Sequence, residues 1–178
     1  MKKGVAILAV LTLLASVGTG VLVWQLSRDS GPHYPEISAY SHGHTVRVGP
    51  FLYCPVLDLD DCDFPETTAD LALNTRHPVQ LAVDPAIARG PWLLVRTYED
   101  AAAPVVQEFR PGAAKTVKIP SVDARFGKLT GIVVQLPTLV RDEAGNEFPV
   151  PHAEWSVRTT WDTDEEYSES VTDFQPAE

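Results

Sequence analysis

The chain is 178 residues long, with 24 acidic against 14 basic side chains and a formal net charge of −10. That length bounds it at one domain with a real core plus short flanking segments. The acidic balance excludes the broad basic surface that nucleic acid demands and argues against electrostatic attachment to anionic lipid headgroups; its plainest consequence is solubility.

Lys2 and Lys3 precede a run, Gly4 through Trp24, that has no charged residue. A helix needs roughly 20 apolar residues to cross a bilayer core, and this run is apolar on all sides rather than amphipathic. Residues 1–28 therefore read as a signal anchor. It is a transmembrane helix with the lysine-bearing end cytoplasmic and everything after it extracytoplasmic. Trp24 suits the outer interface. A cleaved secretory signal is the rival reading, with Ala15-Ser16-Val17-Gly18 as a small-residue exit that the apolar run overshoots. A lipid-anchored protein needs a cysteine just after the run, and the first one is Cys54. The expected address is the cell membrane, single-pass, with the domain facing the cell envelope. Residues 29–35, polar with Gly31 and Pro32, are the spacer.

Helix signals are scarce after the spacer, and 15 prolines interrupt the chain. Short runs of strand type recur instead. Glu36–Ser41 and Thr45–Val48 flank His42-Gly43, a hairpin turn. Phe51–Val56, Ala69–Leu73 and Val79–Val83 follow. Trp92–Tyr98 is the most apolar run and reads as a central strand; Val105–Phe109 alternates, and Thr116–Ile119 is short. Leu129–Val140 is long and β-branched, with Pro137 demanding a bulge or an edge. After the Asp142–Asn146 turn, Glu154–Trp161 places Trp155, Val157, Thr159 and Trp161 on one face. Strands at this spacing, without a strand–helix–strand rhythm, predict an all-β fold: an antiparallel immunoglobulin-like β-sandwich over 36–161. Residues 162–178 are acid-rich, lack Lys and Arg, and read as an acidic disordered tail.

Cys54 and Cys62 are the only cysteines. Outside the membrane such a close pair predicts a local disulfide, with loop closure contributing roughly 2–3 kcal/mol. Asp58, Asp60, Asp61 and Asp63 cluster beside it. Clustered carboxylates suit calcium, but the EF-hand pattern fails, since its third ligand place falls on Cys62. A solvated acidic loop that touches a basic partner is the other reading. His42 and His44 are the most metal-like pair, because imidazole suits zinc or copper. Further ligands from His33, His77 or His152 depend on the fold, and solvated turn histidines are the plainer reading. Trp92, Trp155 and Trp161 have the surface to stack on sugar rings, but the alternation around Trp155 and Trp161 assigns them to the core.

The residues Pro35-Glu36-Ile37-Ser38-Ala39-Tyr40, Gly43, Val46, Val48, Pro50, Tyr53-Cys54 and Cys62 resemble the opening of an uncharacterised actinobacterial family. Its members are short envelope proteins, lipoproteins or single-pass, with one domain of unknown function. The resemblance covers residues 35–62 best and implies an address without an activity. The chain departs from the lipid-anchored members in lacking a cysteine after the apolar run.

No Gly-x-Ser-x-Gly, His-Glu-x-x-His or Ser-x-x-Lys motif is present, and no phosphate-binding glycine loop. The expectation is therefore a non-enzymatic, cofactor-free module. It is held to the membrane by its N-terminal helix and scaffolds or binds another envelope component. The alternative is a carrier of an envelope ligand: a lipid, a glycan or a metal ion.

Overall fold

The computed structural model describes residues 12, 14–25 and 34–161, and the chain divides into two compact units, 1–34 and 35–178. In the first, residues 14–25 are helical and exposed, and Thr19 Oγ1 donates to the Ala15 carbonyl at 2.7 Å. Among the described residues no helix is long and apolar enough to cross a membrane. The rest of the expected span lies outside the described residues, as do 29–33 of the spacer and the acidic tail at 162–178.

The second unit is built from eleven strands among the described residues. They are β1 Ile37–Ser41, β2 His44–Val48, β3 Leu52–Tyr53, β4 Thr68–Leu73, β5 Val79–Val83, β6 Trp92–Tyr98, β7 Val105–Phe109, β8 Thr116–Ile119, β9 Val122–Asp123, β10 Gly127–Arg141 and β11 Glu147–Trp161. One helical turn, Pro85–Ala88, follows β5; Asp84 caps it, its Oδ1 accepting from the Ala86 amide at 2.6 Å. A four-stranded sheet runs β2-β1-β5-β8. A seven-stranded sheet runs β3-β11-β10-β6-β7, with β4 also on β11 and β9 on β10.

The two sheets bury a single apolar cluster between them. The four-stranded sheet supplies Ile37, Ala39, Val48, Val79, Leu81, Val83 and Ile119, and the larger one supplies Leu71, Leu73, Trp92, Leu94, Ile132, Val134, Trp155 and Val157. Period-two alternation causes this, since successive side chains in a strand face opposite ways. Trp92 and Trp155 are fully buried, as core residues. Trp92 stacks on Phe109 with centroids 4.0 Å apart, and Trp155 Nε1 donates to the Pro35 carbonyl at 2.8 Å.

Three expectations need correction. The antiparallel rule fails at one pair, because β4 runs parallel to β11, from Thr68↔Ser156 to Leu73↔Trp161. The cause is local: after β3 the chain reverses through the loop between the cysteines and returns along β11 in that strand's own direction. The expected Phe51–Val56 strand shrinks to Leu52–Tyr53, since the ladder to β11 ends with the Cys54 amide donating to the His152 carbonyl and Pro55 after it has no N–H to give. Strand β11 starts at Glu147, well before Glu154, because the turn anchored by Asp142 closes straight into a hairpin. Pro149 and Pro151 are tolerated there because, among the described residues, that stretch of β11 has only β10 as its neighbour. The bulge expected at Pro137 is present, as a register shift between Leu136 and Pro137.

Candidate functional site

Cys54 and Cys62 are disulfide-bonded, with Cα atoms 4.2 Å apart. The bond closes a loop already tied to the larger sheet. Tyr53 and Asp63 exchange both backbone hydrogen bonds at 2.9 Å, and the Cys54 amide donates to the His152 carbonyl at 2.7 Å. Inside the loop, the Asp58 amide donates to the Pro55 carbonyl at 3.1 Å, and Asp58 Oδ1 accepts from the Asp60 amide at 3.2 Å. Asp58, Asp60, Asp61 and Asp63 are all exposed. So are Val56 and Phe64, and Leu57 is 100% exposed. The loop thus presents apolar side chains among carboxylates on a covalently closed frame.

His42 and Gly43 both take left-handed backbone conformations, φ 35° and 96°, as a two-residue hairpin turn requires. The turn sets the His42 and His44 rings edge to face, with centroids 4.9 Å apart. His77, from the β4–β5 loop, stacks on His42 at 6.0 Å; its Nδ1 lies 2.9 Å from Asn74 Oδ1. Spacing alone holds no sign of the arrival of His77. Among the described residues no three His, Cys, Asp or Glu side chains are placed to hold a metal ion, and the four aspartates are no exception. His152 belongs to the loop frame, with Nδ1 3.1 Å from the Cys54 carbonyl, and His33 lies outside the described residues.

A second feature escaped the sequence reading. On the outer face of the four-stranded sheet two shallow depressions, about 220 and 310 Å³, meet over Ser38 and Ala82. Glu36, Arg47 and Asp84 border the first; Tyr40, Gln80, Thr116 and Lys118 border the second. Alternation makes these residues readable as one face, but their register across three strand pairs is set by the fold. Trp161, the sequence's other stacking candidate, is covered: the Lys128 ammonium lies 5.3 Å over its ring, and its Nε1 donates to the Leu129 carbonyl at 3.2 Å.

Two groups with displaced pKa values lie away from all these places. The Tyr98 phenol is raised by burial, opposed by the Arg96 charge. The Asp142 carboxyl is lowered by hydrogen bonds from the Asn146 side chain and backbone.

The chain belongs to a family described as a protein of unknown function, DUF2771, which matches residues 30–160. It is 55% identical over 159 residues to uncharacterised proteins of Mycobacterium tuberculosis and Mycobacterium bovis, covering 89% of this chain and 98% of each relative. The family is thus an uncharacterised actinobacterial one, as residues 35–62 suggest. No solved structure matches the chain.

Proposed function

We propose that the chain is a membrane-tethered, extracytoplasmic, immunoglobulin-like sandwich that binds or scaffolds another component of the cell envelope without catalysing a reaction. The observation that carries this reading is the acidic loop. A free surface loop gains nothing by exposing Leu57 and Phe64, whereas apolar side chains rimmed by charge are what an interaction surface presents. The fitting partner offers an apolar seat edged with Lys or Arg, so that opposite charges steer the approach. The uncharged run Gly4–Trp24 behind two lysines supports the tether and the outward direction. The disulfide suits an oxidising compartment. The two-layer, mostly antiparallel architecture supports the immunoglobulin-like description.

A photo-reactive residue in place of Leu57, in the full chain in its native membrane, is expected to crosslink one stoichiometric protein. Asp60→Asn with Asp61→Asn should abolish that product while leaving the melting temperature unchanged. A loop that captures no protein, or captures one regardless of the aspartates, overturns the reading. The outward orientation is tested separately. A reporter active only outside the membrane, fused after Glu178, should be active, and an inactive but stable fusion rejects it.

A further inference from the structure

We propose that the outer face of the four-stranded sheet is a binding site for a neutral saccharide, separate from the acidic loop. The face is organised by register. Ser38 lies opposite Arg47 on β2 and opposite Ala82 on β5, and Ala82 opposite Thr116 on β8. The next outward-facing row is Thr45, Tyr40, Gln80 and Lys118, each opposite its neighbour. In the first row the two central side chains are the smallest available, so a trough runs over Ser38 and Ala82. The Tyr40–Gln80 row walls it on one side. Glu36 and Asp84, held together by the Asp84 amide donating to the Glu36 carbonyl at 3.2 Å, wall it on the other. Four residues along a strand separate these walls, or about 13 Å, a width that takes a sugar ring.

The decisive feature is what the polar groups on this face do not do. Among the described residues, the side chains of Tyr40, Arg47, Gln80, Thr116 and Lys118 make no hydrogen bond or ion pair. The larger sheet pairs several of its outward polar groups, although Glu108, Ser156 and Thr160 there have no side-chain partner among the described residues either. There Gln135 Nε2 donates to Glu154 Oε2 at 2.8 Å, Thr130 Oγ1 to Thr97 Oγ1 at 3.1 Å, and Arg158 pairs with Asp70 at 3.0 Å. On the four-stranded sheet an amide, a hydroxyl, a phenol and two cations stand opposite one another over a trough and remain unpaired.

Their chemistry selects the occupant. Carboxylates and cations border the trough together, which disfavours a phosphate or any strongly charged ligand. Apart from the Tyr40 ring, 40% exposed, the face holds no large apolar surface, so a lipid tail or the apolar anchors of a peptide have no seat. A neutral sugar matches each part. Its axial C–H face lies on the Tyr40 ring. Its hydroxyls accept from Arg47, Gln80 and Lys118 and donate to Glu36 and the Gln80 amide oxygen. A few placed polar groups around one ring are enough to orient such a ligand.

The test uses the full chain in a detergent without a sugar headgroup, titrated with maltotetraose, mannotetraose and xylotetraose and followed by amide chemical shifts. At least one probe is expected to shift the amides of Ser38, Tyr40, Gln80 and Ala82. Tyr40→Ala, and independently Ala82→Arg, should weaken it at least ~10-fold; the fold is preserved because both positions face outward. Leu57→Ser should leave the titration unchanged. No binding by any probe at millimolar concentration overturns the proposal. So does binding that ignores both substitutions, or a ligand held only through the charges of Arg47 and Lys118 and released by salt. Crosslinking at position 57 is read in the same variants. If it persists while the titrations fail, this inference falls and the loop reading stands.

Discussion

The two sheets share one core and the same alternation, yet they treat water differently. The larger sheet pairs several of its outward polar side chains across strands, as in Gln135–Glu154, Thr130–Thr97, Arg158–Asp70 and Arg141–Glu147, and leaves Glu108, Ser156 and Thr160 without a partner among the described residues. The smaller sheet sets Arg47, Tyr40, Gln80 and Lys118 in equally good register and joins none of them among the described residues. Cross-strand pairs contribute roughly 0.2–1 kcal/mol each, so the small sheet forgoes stability that its register makes available. The difference also appears in shape. Strands β10 and β11, 15 residues each, carry a bulge, and β11 also braces the disulfide loop. The small sheet's strands are 4 or 5 residues long and regular. Irregularity in one sheet builds a projecting loop; regularity in the other leaves a trough.

The largest expected effect lies where the sheets cannot be told apart, in the core. Trp155→Ala should cost about 3–5 kcal/mol, the range for an aromatic deleted from a packed interior. It also removes the Nε1 bond to the Pro35 carbonyl, where the chain enters β1. Urea unfolding should show one cooperative transition at lower midpoint. Two separate transitions would break the comparison at its premise, that one core supports both sheets. Next is the loop. Cys54→Ser with Cys62→Ser should cost roughly 2–3 kcal/mol, since the bond closes a loop of sequence separation 8. The trough titration should be unaffected once the variant is folded.

A smaller pair of substitutions measures the contrast itself. Gln135→Ala breaks a part-buried cross-strand bond to Glu154 at 2.8 Å and should cost about 0.5–1 kcal/mol. Gln80→Ala removes an amide with no partner among the described residues and should change stability by less than about 0.5 kcal/mol. Equal costs for the two would show that the trough residues are structural.

How much of this was readable beforehand follows the range of the interactions. Nearest-neighbour alternation located β1, β5, β6, β7 and β8 to within a residue, because burial of one strand face is written at every second position. Pro137 announced its own bulge, since a ring without an N–H must interrupt a ladder. The disulfide was legible because only one pairing exists. The parallel β4–β11 pair was not, for it depends on a reversal inside a loop of no regular pattern. The stack of His77 on His42 was hidden because it is a matter of pairing: the two rings are 35 residues apart and meet only because β5 runs antiparallel beside β1, which sets the residues before β5 next to those after β1. The trough was half legible. Its residues alternate in the sequence, but that Ser38 faces Ala82 rather than a larger neighbour is decided by register between β1 and β5.

The smallest effect sharpens the view of the larger sheet from its buried side. Tyr98 ends β6 with its ring 5% exposed, and its hydroxyl has no hydrogen-bond partner among the described residues. The Arg96 guanidinium is near enough to oppose the burial effect, through its charge first and its donor group second, while the Asp123 charge adds to it; the guanidinium still misses the distance and angles of a formed hydrogen bond to the hydroxyl. Burial dominates and raises the phenol above its ordinary 10.0. The folded state therefore holds this proton more tightly than the unfolded chain does. Its contribution to stability is fully present below pH 10 and is lost as pH rises through the folded value. Tyr98→Phe keeps the packed ring and deletes the group that titrates. At neutral pH it should be close to neutral or slightly stabilising, because a buried hydroxyl without a partner carries its desolvation cost uncompensated. Above the ordinary phenol range the variant should lose less stability than the parent. Denaturation midpoints of both, followed from neutral to strongly alkaline pH, check it. If the variant is instead destabilised at neutral pH, the hydroxyl has a partner in solution. Trp92 Nε1 and Arg96 Nε on the same strand would then be left as the buried polar atoms without a partner among the described residues.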